Sequence, residues 1–252
     1  MKKPLRHKYI INELEKKGRV LTTELAPVLN VTEDTIRKDL QEMSKDGIIK
    51  RFHGGALKNE DIKIDFQERI TLYKEGKELL AKSIIKELSN FNMIFLDSGT
   101  TNLAIAKNLI NNYNGTIITN SPPISIELSI DPNIKIILIG GELDNRTRVI
   151  RNAQAIEQIN KLNIECTVLG ISELSIEKGI TYPNQDEAFL KTALINNSDV
   201  VLGAVIKEKL NKYSTFYAGK ASSIDILITD ENSEEILLPY KEIIDTIISV
   251  DK

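Results

Sequence analysis

From Met93 onward the chain alternates short, unbroken apolar runs with helical patterns, and no other feature constrains the fold as strongly. MIFLD (93–97) precedes TNLAIAKNLI, and TIITN (116–120) precedes PPISIELS. IKIILIGG (134–141) follows, and CTVLGIS (166–172) leads towards a helix through EAFLKTALINNS. DVVLGAV (199–205), DILITD (225–230) and the final IIDTIISVD complete the series. A strand wetted on one face alternates polar and apolar residues, so continuous β-branched runs require cover on both faces. The expectation is an α/β domain on a Rossmann-like, mostly parallel sheet.

The first 58 residues have a different texture. They hold 13 Lys+Arg against 8 Asp+Glu, in a chain of net charge -3, together with both histidines, His7 and His53. A basic head on an acidic body suits a polyanionic partner. LRHKYIINELEKK (5–17) sets Leu5, Tyr9, Ile10 and Leu14 at helical spacing, with Gly18 as a stop. Val20 and Leu21 form a short extended piece. Thr22 or Thr23 caps a second helix over 24–29, ended by Asn30, which tolerates Pro27 best in its first turn. VTEDTIRKDL (31–40) starts a third helix, with Thr32 as N-cap and Glu33 and Asp34 at its positive end. Ile36, Leu40 and Met43 form its buried stripe, and Gly47 ends it. GIIKRFHGGAL then reads as two short strands around a Gly54-Gly55 turn.

That order describes a winged helix–turn–helix, whose second paired helix enters the major groove of duplex DNA. With Ile36 and Leu40 turned inward, Thr32, Glu33, Thr35, Arg37 and Lys38 face out. The wing offers Lys50, Arg51, His53 and Gly54, and Arg6 and Thr22 complete the DNA-facing set. Thr and Arg reach bases or phosphates, whereas Lys favours phosphate. An ordinary amphipathic surface helix would share the pattern. Residues 5–56, through the TIRKDL core and the RFHGGA wing, resemble the N-terminal domain of the DeoR family of bacterial transcription regulators. Thr32 stands where that family usually has Ser, and either caps. Residues 1–57 are thus expected to form the DNA-binding domain. Residues 58–74 are expected to be a linker and 75–252 the α/β domain, with an amphipathic helix over about 69–88.

In an open α/β sheet, ligands sit beyond the carboxyl ends of the strands. Three such ends carry small polar turns: Asp97, Ser98, Gly99, Thr100 and Thr101; Thr119, Asn120 and Ser121; Gly140 and Gly141. N–H groups at a helix start, with hydroxyls, suit a phosphate, though each string is also simply a tight capped turn. The same strings, with LGIS, EAFLK and ITD, resemble the family's C-terminal domain. That domain is similar to sugar-phosphate isomerases such as ribose-5-phosphate isomerase, with sensing in place of chemistry. The resemblance implies a phosphorylated sugar or related metabolite as effector. It adds Glu187 and Lys191 as a pocket edge; a surface ion pair four residues apart is the alternative.

The chain departs from the family after the fifth strand. Where Asp-Ser-Ser-Lys is common, it has Ala204, Val205, Ile206 and Lys207. The lysine survives as a candidate ligand, but the carboxylate and hydroxyls are gone. Asn152 likewise stands near a position where the family commonly has glycine followed by proline. An altered, less hydroxylated ligand, the usual class, or lost sensing all fit.

The single cysteine, Cys166, excludes an internal disulfide and a cysteine-cluster metal site, and no metal or cofactor is expected. No G-x-S-x-G, H-E-x-x-H or Walker A string occurs, and no catalytic set is assigned. Asp97, Glu173 and Lys207 can be drawn into an isomerase's acid–base roles, but their spacing does not demand it. Arg146, Arg148 and Arg151 form an anionic-ligand patch or a basic loop. No apolar run reaches the ~18–20 residues of a membrane span. The N-terminus has acids where a signal peptide would be apolar, so a cytoplasmic location is expected. Two-part operators imply a homo-oligomer, dimer or tetramer. The expected function is a sequence-specific DNA-binding regulator, a repressor of carbohydrate metabolism genes under metabolite control. A sugar-phosphate isomerase-like enzyme and a protein–protein adaptor are the competing classes.

Overall fold

A computed structural model describes residues 2–45, 48–58 and 66–251, apart from the side chains of Glu15, Lys16, Lys50 and Lys58. The chain divides into two units, residues 1–64 and 65–252.

The first unit runs α1 (Lys3–Lys17), β1 (Arg19–Leu21), α2 (Thr22–Leu29), α3 (Glu33–Lys45), β2 (Ile49–Phe52) and β3 (Gly55–Lys58). β3 lies between β1 and β2 in an antiparallel sheet. α1 stops at Gly18, whose φ of 70° lets its N–H donate to the Leu14 carbonyl. The Thr35 N–H donates to Thr32 Oγ1, so Thr32 does cap α3. The Gly47 stop lies outside the described residues. Ile10, Leu14, Leu25, Leu29, Ile36, Leu40, Met43 and Ile49 close one apolar cluster. Each aliphatic side chain buried this way contributes about 1.5–3 kcal/mol.

Two local expectations change. Pro27 lies in the second turn of α2, not its first. There it removes the N–H that would donate to the Thr23 carbonyl, and the helix ends soon after, at Asn30 in the left-handed region. The wing turns at His53-Gly54, with Phe52 opposite Gly55 across the ladder. Gly55 is therefore a strand residue. A Cβ there would lie 2.1 Å from the Val20 carbonyl oxygen, so its glycine permits the contact with β1.

In the second unit, the amphipathic pattern of 69–88 breaks into α4 (Phe66–Thr71) and α5 (Lys74–Leu88), separated by Tyr73 at φ 52°. Phe66 is buried in this unit's core, although the composition of 58–74 suggests a linker. The other helices are α6 (Thr100–Leu109), α7 (Pro122–Leu128), α8 (Ala153–Ile159), α9 (Gln185–Asn196) and α10 (Glu234–Lys241). The strands are β4 (Met93–Leu96), β5 (Gly115–Thr119), β6 (Ile134–Leu138), β7 (Leu143–Asp144), β8 (Val149–Ile150), β9 (Ile164–Leu169), β10 (Glu173–Ser175), β11 (Gly179–Tyr182), β12 (Ser198–Val205), β13 (Phe216–Gly219), β14 (Ile226–Thr229) and β15 (Thr246–Ser249).

The expected α/β architecture is present. Seven strands form one sheet in the order β15-β14-β12-β9-β4-β5-β6, with every pair parallel. Successive residues feed opposite faces: Ile94 and Leu96 join one apolar cluster and Phe95 the other. That double burial is the reason these strands are apolar throughout. The chain builds outward from β4 through β5 and β6, then returns to place β9 on β4's other side. The direction reverses between β4 and β9, which opens a crevice at their carboxyl ends. A small antiparallel sheet, β10-β11-β13, and the β7–β8 hairpin are additions that the apolar runs do not signal.

Candidate functional site

The first unit presents α3 outward. Arg37 and Lys38 have side chains 59% and 76% exposed, Thr32 is exposed, and Glu33 and Thr35 are half-exposed. Arg37 Nη2 donates to Glu33 Oε2 at 2.8 Å, and Lys38 Nζ approaches Asp34 Oδ2 at 2.9 Å. Such one-turn surface pairs are worth a few tenths of a kcal/mol, so a phosphate displaces them readily. Arg51, His53 and Gly54 are exposed on the wing. The side chain of Lys50, on β2, lies outside the described residues.

Two proposed DNA contacts sit elsewhere. Thr22 is buried, with its N–H donating to the Gly54 carbonyl, so it braces the wing turn. Arg6 is not an open cation: it forms a forked pair with buried Asp39, Nε to Oδ2 at 2.7 Å and Nη2 to Oδ1 at 3.0 Å. His7 Nε2 is 3.4 Å from the same Oδ1. Periodicity held this signal, because Arg6 shares the face of Ile10 and Leu14 while Asp39 follows Ile36 and precedes Met43.

In the second unit, Asp97 occupies the crevice between β4 and β9. Its carboxylate is wholly buried; Oδ2 accepts Lys191 Nζ at 2.5 Å and the Gly170 N–H at 2.8 Å. Burial pushes the carboxyl up from its ordinary range, opposed by Lys191 and the N–H groups of Gly170 and Ser98. Lys191 is thus a core residue of α9 whose ammonium meets Asp97 at the carboxyl end of β4, and its ion pair is with Asp97 in place of Glu187. Glu187 instead stands in the first turn of α9, its N–H donating to the Asn184 cap. Asn102 donates to the carbonyls of Asp97 and Val168, and the Tyr182 hydroxyl donates to the Gly170 carbonyl. Together these bonds join β4 to β9 at the switch point.

The second strand end joins the first. The Ser98 N–H donates to Asn120 Oδ1, and the Ser121 N–H donates to Thr119 Oγ1. Ser121 is fully buried and its hydroxyl has no protein partner. Gly99, at φ 122°, opens α6 with Thr100 and Thr101. Gly140 and Gly141 follow β6 beside the second strand end, where the Ile139 N–H donates to the Thr119 carbonyl. Gln158 on α8 takes both backbone groups of Gly140, and Gly141 packs on Asn152, the N-cap of α8. A close contact also explains Gly170, where a Cβ would lie 2.3 Å from the Ser98 carbonyl oxygen. Gly170→Ala is expected to force β4 and β9 apart, at about 1–3 kcal/mol, read as a lower thermal midpoint with the Asp97–Lys191 site deformed.

Sequence reasoning missed three cations. Lys77 on α5 is buried and donates to the Arg69 carbonyl. Lys209 donates to the Ile171 carbonyl beyond β9. Arg69 acts electrostatically on both and lies over the Phe66 ring. Each was hidden in a stretch that reads as a solvated helix face or loop. Ala204, Val205 and Ile206 are buried in the two cores, and Lys207 is exposed. Arg146, Arg148 and Arg151 make no cationic patch. Arg151 is paired with Asp144, and the adjoining cleft of about 490 Å³ is also lined by Glu142 and Asp186. Cys166 is buried in β9.

Among the described residues, no His, Cys, Asp and Glu group is placed to hold a metal. No described helix is long and apolar enough to cross a membrane.

Residues 73–231 match the DeoR C terminal sensor domain, and residues 6–61 match the DeoR-like helix-turn-helix domain. The chain is 32% identical over 231 residues to the glycerol-3-phosphate regulon repressor of Escherichia coli, spanning 91% of this chain and 92% of that one. It is 32% identical over 239 residues to the HTH-type transcriptional regulator GolR of Listeria innocua, spanning 94% and 93%. Among solved structures, ribose 5-phosphate isomerase A of Methanocaldococcus jannaschii aligns with TM-score 0.39 and 14% identity over 54% of each chain.

Proposed function

Because the chain belongs to the DeoR family of transcription regulators, we propose that it represses carbohydrate-metabolism genes by gripping an operator through α3 and the wing. A phosphorylated sugar or polyol at the β4–β9 crevice sets the strength of that grip. The observation that carries the reading is α3 itself, with Ile36, Leu40 and Met43 buried and Thr32, Thr35, Arg37 and Lys38 outward. A helix so held offers its N-terminal half to base edges and phosphates. Two half-sites require two heads, so the working form is a homo-oligomer.

Arg37→Ala is expected to weaken binding to a duplex selected from random sequences by about 1–3 kcal/mol and to relax preference at one base position. Arg51→Ala is expected to weaken all duplexes alike and reduce the salt slope by about one. Fluorescence anisotropy reads both, and an unchanged affinity in Arg37→Ala would remove α3 from the groove.

The crevice favours an effector with an anionic end. Lys191 is bonded to Asp97 there, Lys209 donates to the Ile171 carbonyl just beyond β9, and Ala204, Val205 and Ile206, where the family has a carboxylate and hydroxyls, are apolar and buried. A short, sparsely hydroxylated phosphate suits that lining, and the Escherichia coli relative is named for glycerol-3-phosphate. An enzymatic reading fits less well, because Asp97 is already engaged by Lys191 and two backbone N–H groups. Thermal-shift screening of sugar and polyol phosphates tests the effector class, since a ligand at 100 times its Kd stabilises by about 2.7 kcal/mol.

A further inference from the structure

The two faces of the small antiparallel sheet β10-β11-β13 differ in character. Ile180, Tyr182 and Ala218 belong to the core, and Phe216 packs against it. Tyr217, between Phe216 and Ala218, points the other way, because successive strand residues face opposite sides. Its side chain is 57% exposed and lies beside Gly179, where a Cβ would come 3.1 Å from the ring. Tyr217 borders a cleft of about 260 Å³ whose walls also include Ile176, Lys178, Lys220 and Ile243. Ile176 and Ile243 are exposed, and so, at 64%, is Tyr213, which acts on Lys178 electrostatically. An exposed apolar residue standing alone needs no explanation, but several gathered inside a polar border mark an interaction site. Tyrosine is among the residues most enriched at the centre of such sites.

The border says what covers it. Lys178 pairs with its neighbour Glu177 at 3.0 Å. Lys220 is exposed, and exposed Glu242 and Asp245 flank Ile243 along the chain. Among the described residues, none of these three makes an ion pair. The border thus carries charge of both signs and answers neither. A partner of a single sign leaves part of it uncompensated. A second copy turned about a two-fold axis brings acids to Lys220 and a lysine to the acids, and forms each pair twice. The open edge at β6, with Ile137 and Leu138 exposed, is a weaker candidate. Lys135 stands exposed within that strand, and a lysine on an edge strand opposes pairing with another chain.

We propose that two copies of this chain meet about a two-fold axis through the Tyr217 face of the β10-β11-β13 sheet, with Lys220 of each copy facing Glu242 of the other. The proposal rests on the reading that two heads grip two half-sites, and it names the surface that joins them. Tyr213, Tyr217, Ile176 and Ile243 form the centre, where apolar area leaves water. The two tyrosines supply large contact area at little conformational cost, having few rotatable bonds to order. The charged border sets orientation: a copy rotated away from the two-fold arrangement would place lysine against lysine or acid against acid.

The test is sedimentation equilibrium of the full-length protein, with circular dichroism as the check on folding. The parent is expected to associate in multiples of two. Tyr217→Asp and Ile243→Asp, both at exposed side chains, should keep the parent's spectrum and weaken association on the order of 100-fold or more, since each change enters the interface twice. Lys220→Glu should weaken it about tenfold, and adding Glu242→Lys in the same chain should restore it. Affinity for a two-part operator should fall in step with association, while affinity for a single half-site stays. Association unchanged in both Asp variants, or lost instead in Ile137→Asp on β6, overturns the proposal and leaves the two-head reading standing. A double charge reversal that associates no better than Lys220→Glu alone overturns the facing of the two copies. A parent that remains a single copy, both free and on DNA, overturns the proposal and the two-head reading together.

Discussion

Asp39→Ala is expected to abolish operator binding by undoing the fold of the head, although Asp39 touches no DNA in the proposed complex. Its carboxylate takes both ends of the Arg6 fork, and the two side chains are only 4% and 11% exposed. Deleting one partner leaves the other charge uncompensated inside the protein, which costs about 3–5 kcal/mol. A unit of about 64 residues has roughly 3–9 kcal/mol of total stability, so this loss consumes most of it. Calorimetry should show the head's transition falling or vanishing while that of the second unit stays. Arg37→Ala is the control, since it should lose operator affinity with an unchanged melt. The pair Arg6→Met with Asp39→Leu should recover much of the stability, because two apolar groups leave no orphaned charge. If Asp39→Ala melts like the parent, the forked pair does not hold α1 to α3.

The second large effect is expected in Lys191→Met. Asp97 would lose its ammonium partner while remaining wholly buried, at about 3–5 kcal/mol near neutral pH. The pH dependence of that loss separates electrostatics from packing. Burial already raises the Asp97 carboxyl, and removing Lys191 deletes the first of the influences that oppose it. The folded variant therefore binds a proton that its unfolded chain releases above the ordinary carboxylate range. Its stability falls as pH rises through the raised value, so the deficit is smallest in acid. Urea midpoints of parent and variant at pH 5 and pH 8 measure this. A deficit equal at both values would mean that lost packing, not an uncompensated carboxylate, weakens the variant. Adding Asp97→Asn to Lys191→Met should remove the pH dependence.

These two ion pairs mark the limit of what is legible along the chain. The seven core strands can be read in advance because burial on both faces writes itself into consecutive residues such as Ile94, Phe95 and Leu96. The head can be read because its helices carry their own stops and caps at Gly18 and Thr32. α4 and α5 are harder. Tyr73 adopts a left-handed conformation that its residue type does not advertise, and one amphipathic stretch becomes two helices. The strands of the small antiparallel sheet are short and mixed in polarity, so no period distinguishes them from loops. Within the candidate sites, Thr32, Thr35, Arg37 and Lys38 stand on the face their spacing assigns. Thr22 and Arg6 do not reach the outer surface as supposed, because a polar side chain on a helix is as free to brace a neighbour as to face water.

What the sequence set by itself is therefore local: which apolar runs become the core strands of the parallel sheet, which stripe of α3 is greasy, and which strand ends carry polar turns. Those properties depend on residues a few positions apart. Tertiary structure alone decided that Lys191 meets Asp97 across 94 positions and Arg6 meets Asp39 across 33. It also decided that Lys209 rather than Lys207 turns inward, to the Ile171 carbonyl. A charge on a flexible stem carries no periodic mark of its partner, and its choice between solvent and interior is settled only when the strands are aligned.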